Sequence, residues 1–146
     1  MCGLPGSGKT TLAMELERRN HAIRFCPDDW LDALQVNLHY EAARARVEAL
    51  QWQMGSRLLA LGVNVIIEWG TWGRSERDAL RVAARDMGAR VELHYLAAGT
   101  DVLFERIRRR NREDPAITRE AVLGWAEIFE APTAEEFALY DPHTPT

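Results

Sequence analysis

The glycine-rich segment at residues 3–10 has the residue types and the spacing of a phosphate-binding loop. The pattern is a glycine, four variable residues, and then glycine, lysine and serine or threonine. Its glycines let successive backbone N–H groups point into one concavity that holds anions, and the helix predicted to follow adds its positive amino end. The chain matches the pattern in full as Gly3-Leu4-Pro5-Gly6-Ser7-Gly8-Lys9-Thr10.

Two side chains of this loop carry its polar chemistry. Lys9 is a compact positive charge that can reach the β- and γ-phosphates of a nucleotide, and it is the only lysine among 18 basic residues. The Thr10 hydroxyl is suited to a Mg²⁺ ion that bridges the same phosphates. We therefore predict that the polyphosphate is held by Gly3, Pro5, Gly6, Ser7, Gly8, Lys9, Thr10 and Thr11.

Three carboxylates come where parallel strands are predicted to end. Asp28 and Asp29 follow the strand predicted at residues 22–26, and Glu68 ends the strand predicted at residues 63–67. Ligands of an open parallel sheet bind at the carboxyl ends of its strands, where a carboxylate can accept the proton of an attacking hydroxyl. Both aspartates could instead cap the next helix. Glu68 could bind Mg²⁺ or an acceptor, or form a salt bridge at the rim.

The densest run of charge comprises Arg106, Arg108, Arg109, Arg110 and Arg112. Arg106 and Arg110 lie four residues apart, on one face of a predicted helix, where like charges repel mildly. An anion bound between them would relieve that repulsion. The alternative is an exposed basic helix paired with Glu105 and Glu113.

Several further residues have two readings each. Trp30, Trp69 and Trp72 could form the wall of an acceptor pocket, since aromatic rings supply rigid apolar surface, or they could be core residues. Arg74 and Arg77 could bind an anionic group of an acceptor, or they could lie on a solvated helix face.

Helical and strand patterns alternate along the chain. The apolar run at residues 63–67 is β-branched, which favours a buried parallel strand. Such alternation implies βαβ units, and hence a parallel sheet between two layers of helices. We expect the long helix at 41–61 to contribute Ala45, Leu50, Met54, Leu58 and Leu61 to the core. The predicted helices are 9–20, 30–38, 41–61, 75–87, 100–111 and 118–129, and the predicted strands are 22–26, 63–67 and 90–96.

The loop has an unusual context, because only Met1 and Cys2 precede it. A loop of this type normally follows a buried strand in the middle of the sheet. We therefore expect a sheet whose first, central strand is largely missing, so that its neighbours lack backbone partners; a start assigned too late would have this effect. An open slot of this kind would invite strand exchange, so we expect a monomer or a weak homodimer.

Length and composition limit the class of protein. At 146 residues the chain predicts a single domain, 1–146. Its net charge of −4 argues against binding duplex nucleic acid, and no apolar run approaches the roughly 20 residues that span a bilayer. Two cysteines, Cys2 and Cys26, do not make a disulfide framework, which favours the cytoplasm.

The chain resembles a group of small P-loop kinases, the AAA-type ATP-binding proteins grouped with zeta toxin, chloramphenicol phosphotransferase and the kinase domain of polynucleotide kinase. The resemblance covers most of the chain. It implies a P-loop NTPase fold with a five-stranded parallel sheet, an ATP·Mg²⁺ site, and transfer of the γ-phosphoryl group to a hydroxyl of a small molecule. The segments that carry it are GLPGSGKTT (3–11), CPDDW (26–30), VNVIIEWGTW (63–72), RSER (74–77) and FERIRRRN (104–111).

The resemblance also implies roles for individual residues. Asp28 corresponds to the base that accepts the hydroxyl proton, and a lid at about 104–118 would place Arg106 and Arg110 over the phosphates, with Arg112 as a further nucleotide contact. Leu31 stands where polynucleotide kinases carry an arginine, which counts against a nucleic-acid 5′ end as acceptor. Two alternatives stay open: an ATPase switch without a small-molecule acceptor, and a truncated, non-catalytic paralogue.

Overall fold

Helices and short parallel strands alternate along the chain, which confirms the predicted α/β class. The structure is a computed structural model, and it describes residues 1–110 and 115–143. Within these ranges the elements are α1 (Lys9–Asn20), β1 (Ile23–Phe25), α2 (Pro27–Ala33), α3 (Glu41–Ala60), β2 (Val65–Ile67), α4 (Arg74–Asp86), α5 (Thr100–Arg110), α6 (Arg119–Ile128) and α7 (Ala134–Phe137).

The sheet is parallel and its centre is truncated, as predicted. Strands β1 and β2 pair with Ile23 opposite Val65 and Phe25 opposite Ile67. Cys2 continues the sheet as a parallel bridge to Gly70 on one side and to Tyr95 on the other. The spatial order is therefore β1, β2, the short segment at Cys2, and the extended segment at residues 93–96.

The prediction of a paired β-strand at residues 90–96 is wrong. The segment is extended, but in the described part of the chain it forms only the bridge at Tyr95. Its expected neighbour is the truncated central strand, which reaches it only at Cys2. On its other side the Val91 N–H donates to Asp141 Oδ2 at 2.8 Å. The described residues thus show fewer strands than the five that the family resemblance implies.

The prediction of which α3 residues face the core is also wrong. The helix buries Val47, Gln51 and Gly55, and a Cβ added at Gly55 would lie 3.3 Å from Phe25 Cε2. Because Gly55 has no side chain, the helix can approach Phe25 of the sheet closely at this point. The face that carries Gly55 is therefore buried, although the opposite residues are larger and more apolar. Of the side chains predicted to enter the core, Leu58 is half-buried and the exposed ones are Ala45, Leu50, Met54 and Leu61.

An apolar cluster joins the glycine-rich loop to the carboxyl-terminal helices. Leu4 packs with Leu103 and Ile107 of α5 and with Val122 of α6. Thr118, where the predicted helix 118–129 begins, is the N-cap of α6, and its Oγ1 accepts from the Ala121 N–H at 3.2 Å. Helix α2 begins three residues earlier than predicted, and α7 was not predicted. No helix in the described ranges is long and apolar enough to cross a membrane.

Candidate functional site

The loop at residues 3–10 needs glycine where it turns most tightly. Gly6 and Gly8 have φ angles of 81° and 101°, a region that L side chains rarely adopt. A Cβ at Gly3 would lie 2.7 Å from the Leu96 carbonyl oxygen, and one at Gly6 would lie 3.0 Å from the Leu103 carbonyl oxygen. The loop is therefore clasped between the residue 93–96 segment and α5.

The amino end of α1 follows the loop directly, at Lys9. Gly8 is the N-cap residue and provides no side-chain cap. Ser7 is buried, and its Oγ has no hydrogen-bond partner among the described residues. Buried hydroxyls are nearly always paired in native proteins, so both features fit a phosphate group. Pro5 is half-buried in the same turn, and Thr11 is exposed in the first turn of α1.

Lys9 lies over the loop and within the field of two carboxylates. Its Nζ donates to the Leu4 carbonyl oxygen at 2.9 Å. Burial lowers the pKa of Lys9, while the charges of Glu68 and Asp28 act to raise it and that of Arg110 to lower it. The fold therefore brings the lysine of the loop into the same electrostatic environment as residues from β2, α2 and α5.

Glu68 joins the loop to the sheet. It is 6% exposed, and its Oε1 accepts from Thr10 Oγ1 at 2.5 Å. Its other oxygen, Oε2, accepts from Arg24 Nη1 at 2.6 Å. The two oxygens of Thr10 and Glu68 fit Mg²⁺, which is typically held by one or two carboxylates together with substrate phosphates. The described residues contain no group of three or more His, Cys, Asp or Glu that could hold a metal ion by itself. A cation at this site would therefore need the substrate phosphates as further ligands.

Arg24 is a member of the site that sequence reasoning missed. It projects from β1 to Glu68 and to Asp29 Oδ2, and its Nε lies 3.7 Å from Glu17 Oε2. Burial alone would lower the pKa of Arg24, but the hydrogen bonds to Glu68 and Asp29 raise it. The available signal was an arginine in the middle of an apolar strand, Ala22 to Cys26.

Asp28 and Asp29 have separate partners. Asp28 Oδ1 accepts from Arg44 Nη2 of α3, whereas Asp29 belongs to the Arg24 network. Neither aspartate is the N-cap of α2, because Cys26 occupies that position. The helix-capping reading is therefore wrong, and the first turn of α2 presents one carboxylate to α3 and the other to β1.

The basic helix α5 contacts the loop through one of the predicted arginines. Arg106 Nη1 donates to the Gly6 carbonyl oxygen at 3.2 Å, and the charge of Arg110 acts on Lys9. Arg108 instead pairs with Glu105 at 2.8 Å. Arg112 lies outside the described residues, as does the middle of the predicted lid.

The remaining sequence candidates divide between site and core. Trp69 Nε1 donates to Gln51 Oε1 at 2.8 Å, and Trp30 packs edge-on against Phe25 at 6.2 Å between ring centroids. Trp72 packs against Trp125 beside the apolar cluster, and a Cβ added at Gly70 would lie 3.5 Å from Trp72 Nε1 and 3.7 Å from Lys9 Cε.

Arg77 neither lies on a solvated helix face nor is free to bind an acceptor, so both predicted roles are wrong. It is 2% exposed, and its Nε and Nη2 donate to Glu136 of α7 at 2.6 and 2.9 Å. Arg74 is exposed, and its backbone N–H donates to Glu130 at 2.6 Å. The two arginines therefore tie α4 to the carboxyl-terminal segment.

A glycine-rich loop between a sheet and a helix, with a lysine and a sheet-end carboxylate beside it, defines a P-loop protein of the small kinase-like group. The chain belongs to the family described as "AAA domain", whose model matches residues 1–132. This finding confirms the group to which the sequence was assigned.

A solved structure shares the fold. It is a gluconokinase from Sinorhizobium meliloti 1021, with a TM-score of 0.60 and 22% sequence identity, and the match covers 92% of this chain and 75% of that one. At this identity the likeness concerns the fold alone. A search of curated proteins returned no match.

Proposed function

We propose that the protein is an ATP-dependent phosphotransferase that moves the γ-phosphoryl group to a hydroxyl of a small molecule. The observation that carries the proposal is the hydrogen bond between Thr10 of the phosphate loop and Glu68 at the end of β2, next to Lys9, whose pKa is also affected by the charge of Asp28. Phosphoryl transfer needs positioning and charge neutralisation more than covalent chemistry. Lys9, Thr10 and Glu68 would supply both, and Asp28 would supply an oxygen base whose charge acts on Lys9.

The step itself balances with the groups at hand. The acceptor oxygen forms a bond to the γ-phosphorus, the bond to the β–γ bridging oxygen breaks, and the hydroxyl proton passes to Asp28. Lys9 and the arginines of α5, Arg106 and Arg110, neutralise the negative charge on the transferred group. The hydrogen bond from Arg106 to Gly6 supports this role, because it holds the guanidinium against the phosphate loop.

ATP and Mg²⁺ are the cofactors that the residues of the loop would hold. The unpaired Ser7 hydroxyl, the uncapped end of α1 and Lys9 suit the phosphates, and Thr10 with Glu68 suits the cation. When bound, Mg²⁺ supplies charge neutralisation and orientation of the phosphates. We further propose Arg112 as a nucleotide contact, on the resemblance alone.

The acceptor would lie between Asp28 and α3. Arg44 places a cation next to Asp28, and the buried Gln51 pairs with Trp69, so the region offers polar groups to a compound with several hydroxyls. Leu31 is fully buried, which leaves no group at that position for a nucleic-acid phosphate. Gluconate is the first compound to test, since the structural neighbour is named a gluconokinase.

The experiment is an ATP turnover assay with Mg²⁺ and a panel of hydroxyl compounds, with product identified by mass. We expect Asp28→Asn to lower kcat by roughly 10²- to 10⁴-fold, the range for a general base, while ATP affinity changes little. Asp29→Asn is the matched control, because Asp29 lies in the Arg24 network. Equal losses in the two variants would contradict the role of Asp28.

The same assay separates the alternative activities. ATP hydrolysis that no compound stimulates, with a partner bound only in the ATP state, would indicate an ATPase switch. The free cysteines support the cytoplasm as the compartment, and we propose a monomer or weak homodimer with no duplex nucleic acid or membrane as partner.

A further inference from the structure

Arg24 is a charged side chain in the middle of an apolar strand. Strand β1 pairs with β2 through Ile23 and Phe25, and the Phe25 side chain is buried. Successive side chains of a strand point to opposite faces of the sheet, so the Arg24 side chain leaves the face opposite to Phe25. It is 13% exposed. A guanidinium at this depth needs carboxylate partners, because removing a charge from water is costly.

Carboxylates from three elements surround this guanidinium. Arg24 Nη1 donates to Glu68 Oε2, directly after β2, at 2.6 Å, and its Nη2 donates to Asp29 Oδ2 in the first turn of α2. On α1, Glu17 Oε2 lies 3.7 Å from Arg24 Nε, and Glu17 Oε1 accepts from the Arg24 backbone N–H at 3.2 Å. The backbone of Arg24 is therefore fixed by α1, and its guanidinium is fixed by the carboxylates beside α2 and β2.

The bond from Arg24 decides which oxygen of Glu68 is left for the phosphate loop. Glu68 is almost fully buried. Because Oε2 is taken by Arg24, Oε1 is the oxygen that meets Thr10 Oγ1, at 2.5 Å. Thr10 and Glu68 are the residues proposed above to hold Mg²⁺. A residue that hydrogen-bonds a metal ligand sets the orientation of that ligand, and replacing it typically lowers metal affinity by about 10- to 100-fold.

Stability alone does not account for this network. A buried ion pair contributes little net stability, because desolvation offsets the attraction, and apolar residues of similar volume often do as well. An apolar residue at position 24 would suit a strand that already carries Ile23 and Phe25. The geometry therefore favours a role for Arg24 at the site itself.

We propose that Arg24 is a positioning residue of the cation site, whose guanidinium holds Glu68 with Oε1 turned toward Thr10 and thereby sets how strongly Mg²⁺ supports nucleotide binding. In this role Arg24 acts through Glu68 and not by contact with the nucleotide. Its second bond, to Asp29, ties the turn that carries Asp28 to the same carboxylate. The inference rests on the proposed function, because it concerns the ATP and Mg²⁺ of that site.

The test measures ATP affinity by isothermal titration, once with Mg²⁺ and once with EDTA. The ratio of the two affinities gives the Mg²⁺ enhancement of ATP binding. A merely structural role of Arg24 would weaken both affinities by a similar factor and leave the ratio unchanged. Arg24→Met removes the guanidinium. Glu17→Gln is the matched control, because it removes a carboxylate next to Arg24 and leaves the bond to Glu68 in place.

We expect Arg24→Met to lower the Mg²⁺ enhancement about 10-fold, and Glu17→Gln to stay within twofold of wild type. In a Glu68→Gln background, Arg24→Met should have no further effect, since Arg24 acts through that carboxylate. If Arg24→Met does not fold, Arg24→Lys carries the test. One ammonium cannot bond Glu68 and Asp29 through two nitrogens, so the enhancement should fall by a smaller factor.

An enhancement within twofold of wild type in the folded Arg24 variants would overturn the inference. A loss in Glu17→Gln equal to that in the Arg24 variants would overturn it as well, and so would a further loss on adding Arg24→Met to Glu68→Gln. A wild-type protein whose ATP binding gains nothing from Mg²⁺ would overturn the proposed function, and the inference with it. An unchanged enhancement in the variants overturns the inference alone.

Discussion

Glu68 accepts hydrogen bonds from two directions, and it thereby connects the phosphate loop to the sheet. Thr10 approaches from the phosphate loop and Arg24 from β1, and Glu68 is almost fully buried between them. A buried carboxylate must be paired to stay charged. Arg24 thus keeps an anion beside the place proposed for Mg²⁺, and it holds Asp29 apart from Asp28.

Lys9 gives the sharpest test at the scale of a residue. We expect Lys9→Ala to weaken ATP binding by about 10- to 150-fold, which is the roughly 1.5–3 kcal/mol of a hydrogen bond to a charged group. Folding should persist, since the buried ammonium is itself a cost, as the lowered pKa of Lys9 indicates.

Isothermal titration with ATP and Mg²⁺ measures this change. Arg109→Ala is the control, because it removes one positive charge from the exposed side of α5. ATP affinities within twofold for the two variants would refute the assignment of Lys9 as the phosphate ligand.

At the scale of elements, a buried ion pair joins α7 to α4. Arg77 of α4 bonds Glu136 through two nitrogens, and its Nη1 donates to the carbonyl oxygens of Thr71 and Trp72 at 3.1 Å each. The pair therefore fixes the chain that leaves β2 and passes the phosphate loop.

We expect Glu136→Ala to lower the free energy of unfolding by roughly 3–5 kcal/mol, because it leaves a buried guanidinium without its carboxylate. Urea denaturation at pH 7 measures the change. Glu105→Ala, which breaks an exposed pair with Arg108, should cost less than about 1 kcal/mol. Similar costs for the two substitutions would show that the Arg77 pair contributes little.

At the scale of the whole molecule, the two sides of the phosphate loop differ in packing. The apolar cluster seals the loop against α5 and α6, whereas the slot between β2 and residues 90–94 holds the charged end of the chain. Stability is rarely uniform across a structure, and the buried amino group of Met1 at the centre of the sheet carries a local cost, as its lowered pKa indicates.

Stability should therefore depend on the charge of the Met1 amino group. Its pKa is lowered from 8.0 to about 6, so below pH 6 the folded chain carries a buried ammonium, and above pH 8 the group is neutral in both states. The free energy of unfolding should rise between pH 6 and pH 8 by on the order of 2–3 kcal/mol. Urea denaturation across this range measures it.

The same measurement on a protein with an acetylated amino terminus isolates the contribution of the Met1 amino group, because acetylation removes its charge. His94, whose pKa is lowered by burial, contributes in the same direction near neutral pH and stays present in both forms. The difference between the two pH profiles is the contribution of Met1. Parallel profiles would mean that the amino group is solvated in the folded state.

Local chemistry was readable from the sequence. The turn geometry of the loop, the helix that begins at Lys9 and the cap at Thr118 depend on residues a few positions apart, and the structure has all three. The positions of Asp28 and Glu68 at strand ends were also predicted. Their roles stay predictions, together with those of Arg106 and Arg110.

By itself, the sequence determined the P-loop, the alternation of helices and strands, and the truncation of the central strand. Only the tertiary structure decided which charges pair, because Arg24 meets Glu68 across 44 positions and Arg77 meets Glu136 across 59. It also decided which face of α3 is buried, since the close contact at Gly55 outweighed the larger side chains elsewhere on the helix. Backbone patterns repeat over a few residues, whereas pairing and packing depend on side chains that folding alone brings together.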